Sequence, residues 1–297
     1  MFQEIILVTG FLGSGKTYFI QQILSQKPQQ RWGLIVNDFG KHNIDMALLA
    51  KVSKGVPAYP ISNGCICCSA KDGLKTALDY LKQQELKHII IEASGLFNGA
   101  EISNLAAVTQ NLKIVCLMDS RDILHNKALN NDAKAQIEIS HALILSHMDK
   151  LDSLTAAEVQ SKASYYHPTA IILTSEQQNL WEALEQLNRM PVGKHHKQYE
   201  HDIMQKDIQI PLLNSKDDLE YLLYLLSSEQ FGQIIRAKGF IKVENKPYLL
   251  QLNYYEYTVT PIEDNDSYQE MHNQLSVFGY QLKADMLQSA IKQMNKG

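Results

Sequence analysis

The chain of 297 residues has no excess of positive charge: 28 lysines and arginines stand against 32 aspartates and glutamates, a formal net charge of −4. Without a basic field, neither nucleic acid nor an anionic membrane is an expected partner. A run of about 18 apolar residues, the length needed to span a bilayer, is also lacking. The N-terminus, Met1-Phe2-Gln3-Glu4-Ile5, has no basic segment ahead of its apolar run. No signal peptide is therefore expected, and the expected compartment is the cytoplasm. Cysteine is scarce, four residues in all, and three of them crowd into positions 65, 67 and 68. Neighbours that close rarely meet bridge geometry, which excludes a disulfide framework and leaves a metal or redox site in a reducing compartment. Internal repeats and low-complexity tracts are missing too. What remains is ordinary globular material, 45% hydrophobic and 20% charged, of a length that favours two domains.

Short apolar runs recur at Ile5 to Thr9, Leu34 to Val36, Ile89 to Ile91, Ile114 to Met118, Leu143 to Leu145 and Ile171 to Leu173. Polar or helical stretches separate them, a pattern that predicts an α/β fold with a mostly parallel sheet covered on both faces. Lys71 to Gln84 places Leu74, Leu78 and Leu81 on one helical stripe. Asp152-Ser153 offers a cap for a helix over Thr155 to Ser164, which Pro168 ends. The pattern changes after residue 187. Residues 188–210 are polar and aperiodic and read as a linker, leaving 1–187 as one domain and 211–297 as a small α+β domain. In that domain a helix is expected over Asp218 to Leu226, with strands at Ile234 to Val243, Tyr248 to Val259 and Leu275 to Tyr280. Glu244-Asn245-Lys246-Pro247 is expected as a hairpin turn, and a last helix over Ala284 to Met294.

Gly10-Phe11-Leu12-Gly13-Ser14-Gly15-Lys16-Thr17 fits the pattern G-x-x-x-x-G-K-S/T, follows an apolar strand and opens a helix. Successive backbone N–H groups in such a loop turn inward around a phosphate, and glycines permit the close approach. Gly10, Gly13, Ser14, Gly15, Lys16 and Thr17 are thus expected to bind the nucleotide, Lys16 on its β- and γ-phosphates and Thr17 on Mg²⁺. Glu92, closing His88-Ile89-Ile90-Ile91-Glu92, is expected as the second Mg²⁺ carboxylate, the alternative being a solvated strand end. Gly95 is placed to bring a backbone N–H near the γ-phosphate. Asp38, in Asn37-Asp38-Phe39-Gly40, reads either as an acid that faces Mg²⁺ or the attacking water, or as a turn residue before Gly40. No strong general base is evident, so slow, Mg²⁺-dependent hydrolysis is expected. In Leu145-Ser146-His147-Met148-Asp149, the Asp149 carboxylate can accept from N1–H and the 2-amino group of guanine, which favours GTP over ATP. Its alternative is a cap on the next helix.

Cys65, Cys67 and Cys68 follow Gly64 in a polar loop. Thiolates prefer Zn²⁺ or Cu(I), and tetrahedral zinc needs four ligands. A local set of two or three suits a site that metal must leave, or one completed by a second subunit or a client; a redox dithiol and a buried structural trio stand as alternatives. Cys116, inside Ile114-Val115-Cys116-Leu117, reads as core, and His195, His196 and His201 as a solvated linker, the alternative being loose metal binding.

In this order, the elements resemble the CobW-type branch of the P-loop GTPases, relatives of the UreG and HypB metal-insertion proteins. The resemblance rests on the phosphate loop, on Asn37-Asp38-Phe39-Gly40 with Ile44-Asp45, on Asn63-Gly64-Cys65-Ile66-Cys67-Cys68, on Glu92 to Gly95 and on Asp149. Arg236-Ala237-Lys238-Gly239-Phe240 is similar to the opening of that family's C-terminal domain. The resemblance implies a GTPase domain followed by a small α+β domain. It further implies GTP hydrolysis that gates delivery of zinc, or in some members cobalt, to a client metalloprotein, with the thiol segment coupling metal to nucleotide state. Val36, Lys41, Tyr18 and Ser146-His147 depart from the family pattern. A nucleotide-dependent homodimer follows as a hypothesis from the incomplete ligand set. The competing expectations are a non-enzymatic metal-binding or sensor scaffold and a P-loop ATPase or small-molecule kinase, the latter leaving the thiols unexplained.

Overall fold

The computed structural model describes residues 2, 4–26, 31–37, 55–61, 70–96, 112–125, 129–187, 203–262 and 273–294. They belong to two compact units, Met1–Tyr199 and Glu200–Gly297. The first is built on seven strands, β1 (Glu4–Gly10), β2 (Trp32–Asn37), β3 (Ala58–Ile61), β4 (His88–Glu92), β5 (Leu112–Asp119), β6 (Ala142–Ser146) and β7 (Ile171–Thr174). Their order is β3-β2-β4-β1-β5-β6-β7, and every pairing is parallel. Each of the six apolar runs lies within one of these strands.

Alternation along the strands divides the core between the two faces. Ile5, Leu7, Ile89, Ile91 and Ile114 pack under helix α2 (Ala70–Lys82) through Leu74, Ala77, Leu78 and Leu81. Ile6, Val8, Ile90 and Val115 face the other way. They meet Phe19, Ile20 and Ile23 of helix α1 (Lys16–Gln26), and Leu180, Trp181 and Leu184 of a short helix over Leu180–Glu185. Each fully buried leucine or isoleucine contributes on the order of 1.5–3 kcal/mol. Toward β6 the cover is the helix Ser153–Tyr166, whose Val159 and Ala163 pack on Cys116, Met118, Leu143 and Leu145. Asp152 caps that helix by accepting from the Leu154 and Thr155 amides. Cys116 lies in the core as expected.

Strand β3 has no counterpart among the expected elements, because Pro60 interrupts its Ala-Tyr-Pro-Ile run. Its place at the sheet edge explains why proline is tolerated there. The short helix over Leu180–Glu185 went unforeseen, as did α3 (Ser120–Leu124), capped by Asp119, and α4 (Asn131–Glu138), capped by Asn130. The latter two are short and largely polar in composition.

The second unit is an antiparallel five-stranded sheet of order β11-β10-β9-β12-β8, with β8 (Ile203–Gln209), β9 (Gln233–Val243), β10 (Lys246–Asn253), β11 (Tyr257–Pro261) and β12 (Gln274–Tyr280). Its helices, Lys216–Ser227 and Ala284–Gln293, bury Leu222, Leu226, Leu287 and Ile291 against Ile208, Ala237, Ile241, Leu250 and Leu275. Residues 203–209, expected in a linker, instead form the edge strand β8. Only Ile203 and Ile208 are buried along it, so its sequence carries little alternation. The single strand expected over Tyr248 to Val259 is two strands. Asn253 Oδ1 accepts from the Tyr255 and Glu256 amides and turns the chain between them. The turn between β9 and β10 has Glu244 and Asn245 at φ +50° and +61°, the two-residue hairpin geometry that matches strand twist. Among the described residues no helix is long and apolar enough to cross a membrane.

Candidate nucleotide site

Strands β1, β4, β5 and β6 end along one edge of the parallel sheet. Val8 pairs with Glu92, Gly10 with Leu117 and Asp119 with Ser146, so the residues that follow these strands converge outside their carboxyl ends. Crevices of this kind hold ligands in open parallel sheets.

The loop from β1 to α1 opens at Gly10 and passes Gly13 and Gly15 at φ +84° and +93°. A Cβ on Gly15 would come no nearer than 3.9 Å to Ser146 Cβ, so glycine is needed there for backbone conformation rather than for space. Phe19 N–H donates to the Gly15 carbonyl at 2.9 Å, which starts α1 directly after the loop. The first-turn amides and the positive end of the helix thus face the loop's concavity, a ready site for anionic oxygen. Lys16 is 6% exposed, and its Nζ donates to the Gly10 and Phe11 carbonyls at 2.8 and 3.1 Å. The ammonium is held across the loop. Ser14 Oγ is buried and has no hydrogen-bond partner among the described residues, an unused polar atom in the cradle.

Thr17 Oγ1 donates to Glu92 Oε1 at 2.8 Å. Glu92 is 4% exposed, which removes the reading of a solvated strand end. A hydroxyl and a carboxylate in contact at the start of α1 form an all-oxygen pair of the type that suits Mg²⁺. Gly95 sits against the same loop: a Cβ there would fall 2.8 Å from Leu12 N and 2.5 Å from Leu12 Cδ2. Here the demand is spatial, since two backbone segments are in contact. Leu96 N–H donates to Ser94 Oγ at 3.1 Å, which folds the segment into a small turn.

Gln136 of α4 joins these parts and was not singled out from sequence. Its Oε1 accepts from Thr9 Oγ1 at 2.8 Å and from Gly10 N–H at 2.7 Å, while Nε2 donates to the Gly95 carbonyl at 3.3 Å. A glutamine beside Ala133 and Ile137 in a short helix gives no local signal, because its partners are more than 40 residues away.

At the β6 end, His147 adopts the left-handed conformation, φ +60°, and leads into a 3₁₀ turn over Met148–Lys150 that carries Asp149. Four groups hold that turn's approach. His147 N–H donates to Glu176 Oε1 at 3.0 Å, and Ser175 Oγ donates to the same oxygen at 2.6 Å. Ser120 Oγ donates to the His147 carbonyl at 3.3 Å. Arg121, paired with both Asp119 oxygens, brings its Nη2 to 3.1 Å from His147 Nε2. Asp149 itself is exposed. The helix after it is capped by Asp152, so Asp149 is not the cap that sequence offered as an alternative. Ser120, Arg121 and Glu176 are additions that sequence reasoning missed, because they come from two other strand ends.

Gly10, Gly13, Ser14, Gly15, Lys16, Thr17, Glu92 and Gly95 are thus gathered around one loop, and Asp149 lies at the end of β6. Asp38, Cys65, Cys67 and Cys68 lie outside the described residues, as do His195, His196 and His201. Among the described residues no group of three or more histidine, cysteine or acidic side chains is placed to hold a metal. Cys116 is fully enclosed, and burial pushes its thiol up to about 12 despite the nearby Lys16 ammonium.

The family model CobW/HypB/UreG, nucleotide-binding domain, matches residues 4–174, and the cobalamin synthesis protein cobW C-terminal domain matches residues 215–295. Among curated proteins, the zinc chaperone YeiR of Escherichia coli (strain K12) is 33% identical over 153 residues, 48% of this chain and 46% of YeiR. The zinc-regulated GTPase metalloprotein activator 1 of Dictyostelium discoideum is 25% identical over 309 residues, 82% of this chain and 64% of that protein. The chain spans about half the length of the first curated relatives it matches. The crystal structure of Zn(II)-bound YjiA GTPase from E. coli superposes with a TM-score of 0.45 at 16% identity, covering 99% of each chain.

Proposed function

Because the chain belongs to the CobW/HypB/UreG family, we propose that it is a slow GTPase that couples nucleotide state to the binding and delivery of zinc. The observation that carries the nucleotide half is the Thr17–Glu92 contact beside Lys16 in a glycine loop. A lone glycine turn has no need of a buried carboxylate against the first turn of its helix. In this reading the loop amides and Lys16 bind the phosphates, and Lys16 leaves the Gly10 and Phe11 carbonyls for the nucleotide. Thr17 and Glu92 would hold Mg²⁺, which when bound supplies charge neutralisation on the phosphate oxygens. Gly95 offers its N–H to the terminal phosphate, and Asp38 orients the attacking water. Asp149 selects guanine, on a turn fixed by Glu176, Ser120 and Arg121.

The metal half rests on Cys65, Cys67 and Cys68 and on relatives named as zinc chaperones. Three neighbouring thiolates give zinc an incomplete tetrahedron, completed by a client metalloprotein or by a second copy of the chain. The charge of −4 and the absence of a basic field fit a protein partner in the cytoplasm better than a polyanion.

The test is competition for a labelled GTP analogue in Mg²⁺ buffer. Unlabelled GTP and GDP are expected to compete about 100-fold better than ATP, and Lys16→Ala to lose binding. Equal competition by ATP would return the ATPase or kinase reading. Binding without any turnover would favour the non-enzymatic scaffold.

A further inference from the structure

We infer that Gln136 is a positioning residue that makes the phosphate loop and the Gly95 turn one mechanical unit. The inference rests on the GTPase reading of the site. Its ground is the hydrogen-bond pattern of a side chain that is wholly buried.

Two donors, Thr9 Oγ1 and Gly10 N–H, converge on one atom of the Gln136 amide. A backbone N–H can only donate, so that atom is the oxygen and the orientation of the amide is settled. The nitrogen is then left to the Gly95 carbonyl. This carbonyl belongs to the same peptide unit as Leu96 N–H, which Ser94 Oγ already accepts. Both polar ends of the Gly95–Leu96 peptide are therefore held, one by its own turn and one by Gln136. On the far side of the turn, Gly95 abuts Leu12 of the phosphate loop, and Glu92 at its start accepts from Thr17. Gly10 N–H, the first amide of the loop, is committed to Gln136.

A glutamine serves here where a purely apolar residue would suffice for packing, because burying an amide is favourable only when each of its groups is paired. Its function is to fix the distance between the loop that carries the phosphates and the turn whose N–H meets the terminal one. A triphosphate needs both parts in register, whereas a diphosphate needs the loop alone. Loss of the tether is therefore read in turnover and in the preference for triphosphate, not in diphosphate binding.

Gln136→Met removes every hydrogen bond at nearly constant volume. Gln136→Glu keeps an acceptor for Thr9 and Gly10 and loses the donor to Gly95. Both variants are expected to melt cooperatively, at a temperature about 2–10 °C below the parent because buried partners of Gln136 are left unpaired, and to bind GDP within about threefold of the parent. Turnover is expected to fall by about tenfold or more, with a smaller change in KM. Amide exchange without nucleotide should quicken in peptides spanning 93–96 and stay unchanged in the second unit. Parent turnover in either folded variant overturns the inference, as does a parallel loss of GDP affinity, turnover and melting temperature. If the parent protein hydrolyses no GTP, the GTPase reading fails separately. Exchange at 93–96 then decides the tether alone, faster in Gln136→Met supporting it and unchanged refuting it.

Discussion

Gly95→Ala tests the contact between the phosphate loop and the turn after β4 with a single methyl group. An added Cβ would sit 2.8 Å from Leu12 N and within 2.8 Å of two Leu12 side-chain atoms. The side chain can rotate away; the backbone nitrogen cannot, because Ser14 N–H ties that loop to the Phe11 carbonyl at 3.2 Å. Ordinary contact begins near 3.4 Å, so the two segments must part by roughly 0.6 Å. Overpacking of this size costs about 1–3 kcal/mol, which lowers the melting temperature by about 2–10 °C in a unit of this length. A shift of half an ångström or more between loop and turn costs about tenfold in turnover, short of the ~10²-fold that a full ångström can cost. The assay is single-turnover GTP hydrolysis beside GDP titration and a thermal melt. Gly95→Ala at parent turnover and parent stability would refute the close approach and the role drawn from it.

Three further outcomes follow from the same geometry. Glu92→Gln keeps an acceptor for the Thr17 hydroxyl, so the protein should fold normally; nucleotide affinity in EDTA should hold while Mg²⁺-dependent turnover drops on the order of 10²-fold, and retained turnover would contradict the metal role. Alkylation of the native protein at pH 8 followed by peptide mapping should leave Cys116 unmodified until denaturant is added, because burial holds its thiol protonated at a pKa of about 12; ready native labelling would contradict its enclosure. His88, packed between Trp32 and Trp181 at ring-centroid distances of 5.1 and 5.0 Å, has its pKa lowered chiefly by burial, with Glu185 and Glu4 opposing. Its neutral form is favoured in the fold, so its contribution is whole above about pH 6.5 and is lost as pH falls through the lowered value. His88→Phe should shrink the loss of melting temperature between pH 7 and 5, and an unchanged pH slope would refute it.

The parallel sheet was legible because its inner strands are buried on both faces and appear as apolar runs; Ile89-Ile90-Ile91 could hardly be anything else. Helix α2 was legible for a related reason, with Leu74, Leu78 and Leu81 on one stripe. Elements failed to show where one face only is covered or where a breaker intervenes, as in β8 with its two buried isoleucines and β3 with Pro60. At the site, the phosphate loop was readable since its spacing encodes backbone geometry directly. Glu92 was readable as a strand end, but its burial against Thr17 was not, and Gln136, Arg121 and Glu176 were invisible. These three act through partners set by strand order, and strand order is not written in local periodicity. The left-handed His147 illustrates the point: sequence presents it as a departure from the family pattern, whereas the fold presents it as a turn held from two other chain segments.

In the function proposed above, zinc on Cys65, Cys67 and Cys68 is coupled to turnover at the phosphate loop. The most direct test of that coupling is GTP turnover by the purified protein in Mg²⁺ buffer with and without one equivalent of Zn²⁺, beside a variant with Cys65, Cys67 and Cys68 all changed to serine. Zinc is expected to alter turnover in the parent protein and not in the variant, whose zinc-free rate stays at the parent level. Equal response to zinc in both proteins, or none in either, would contradict it.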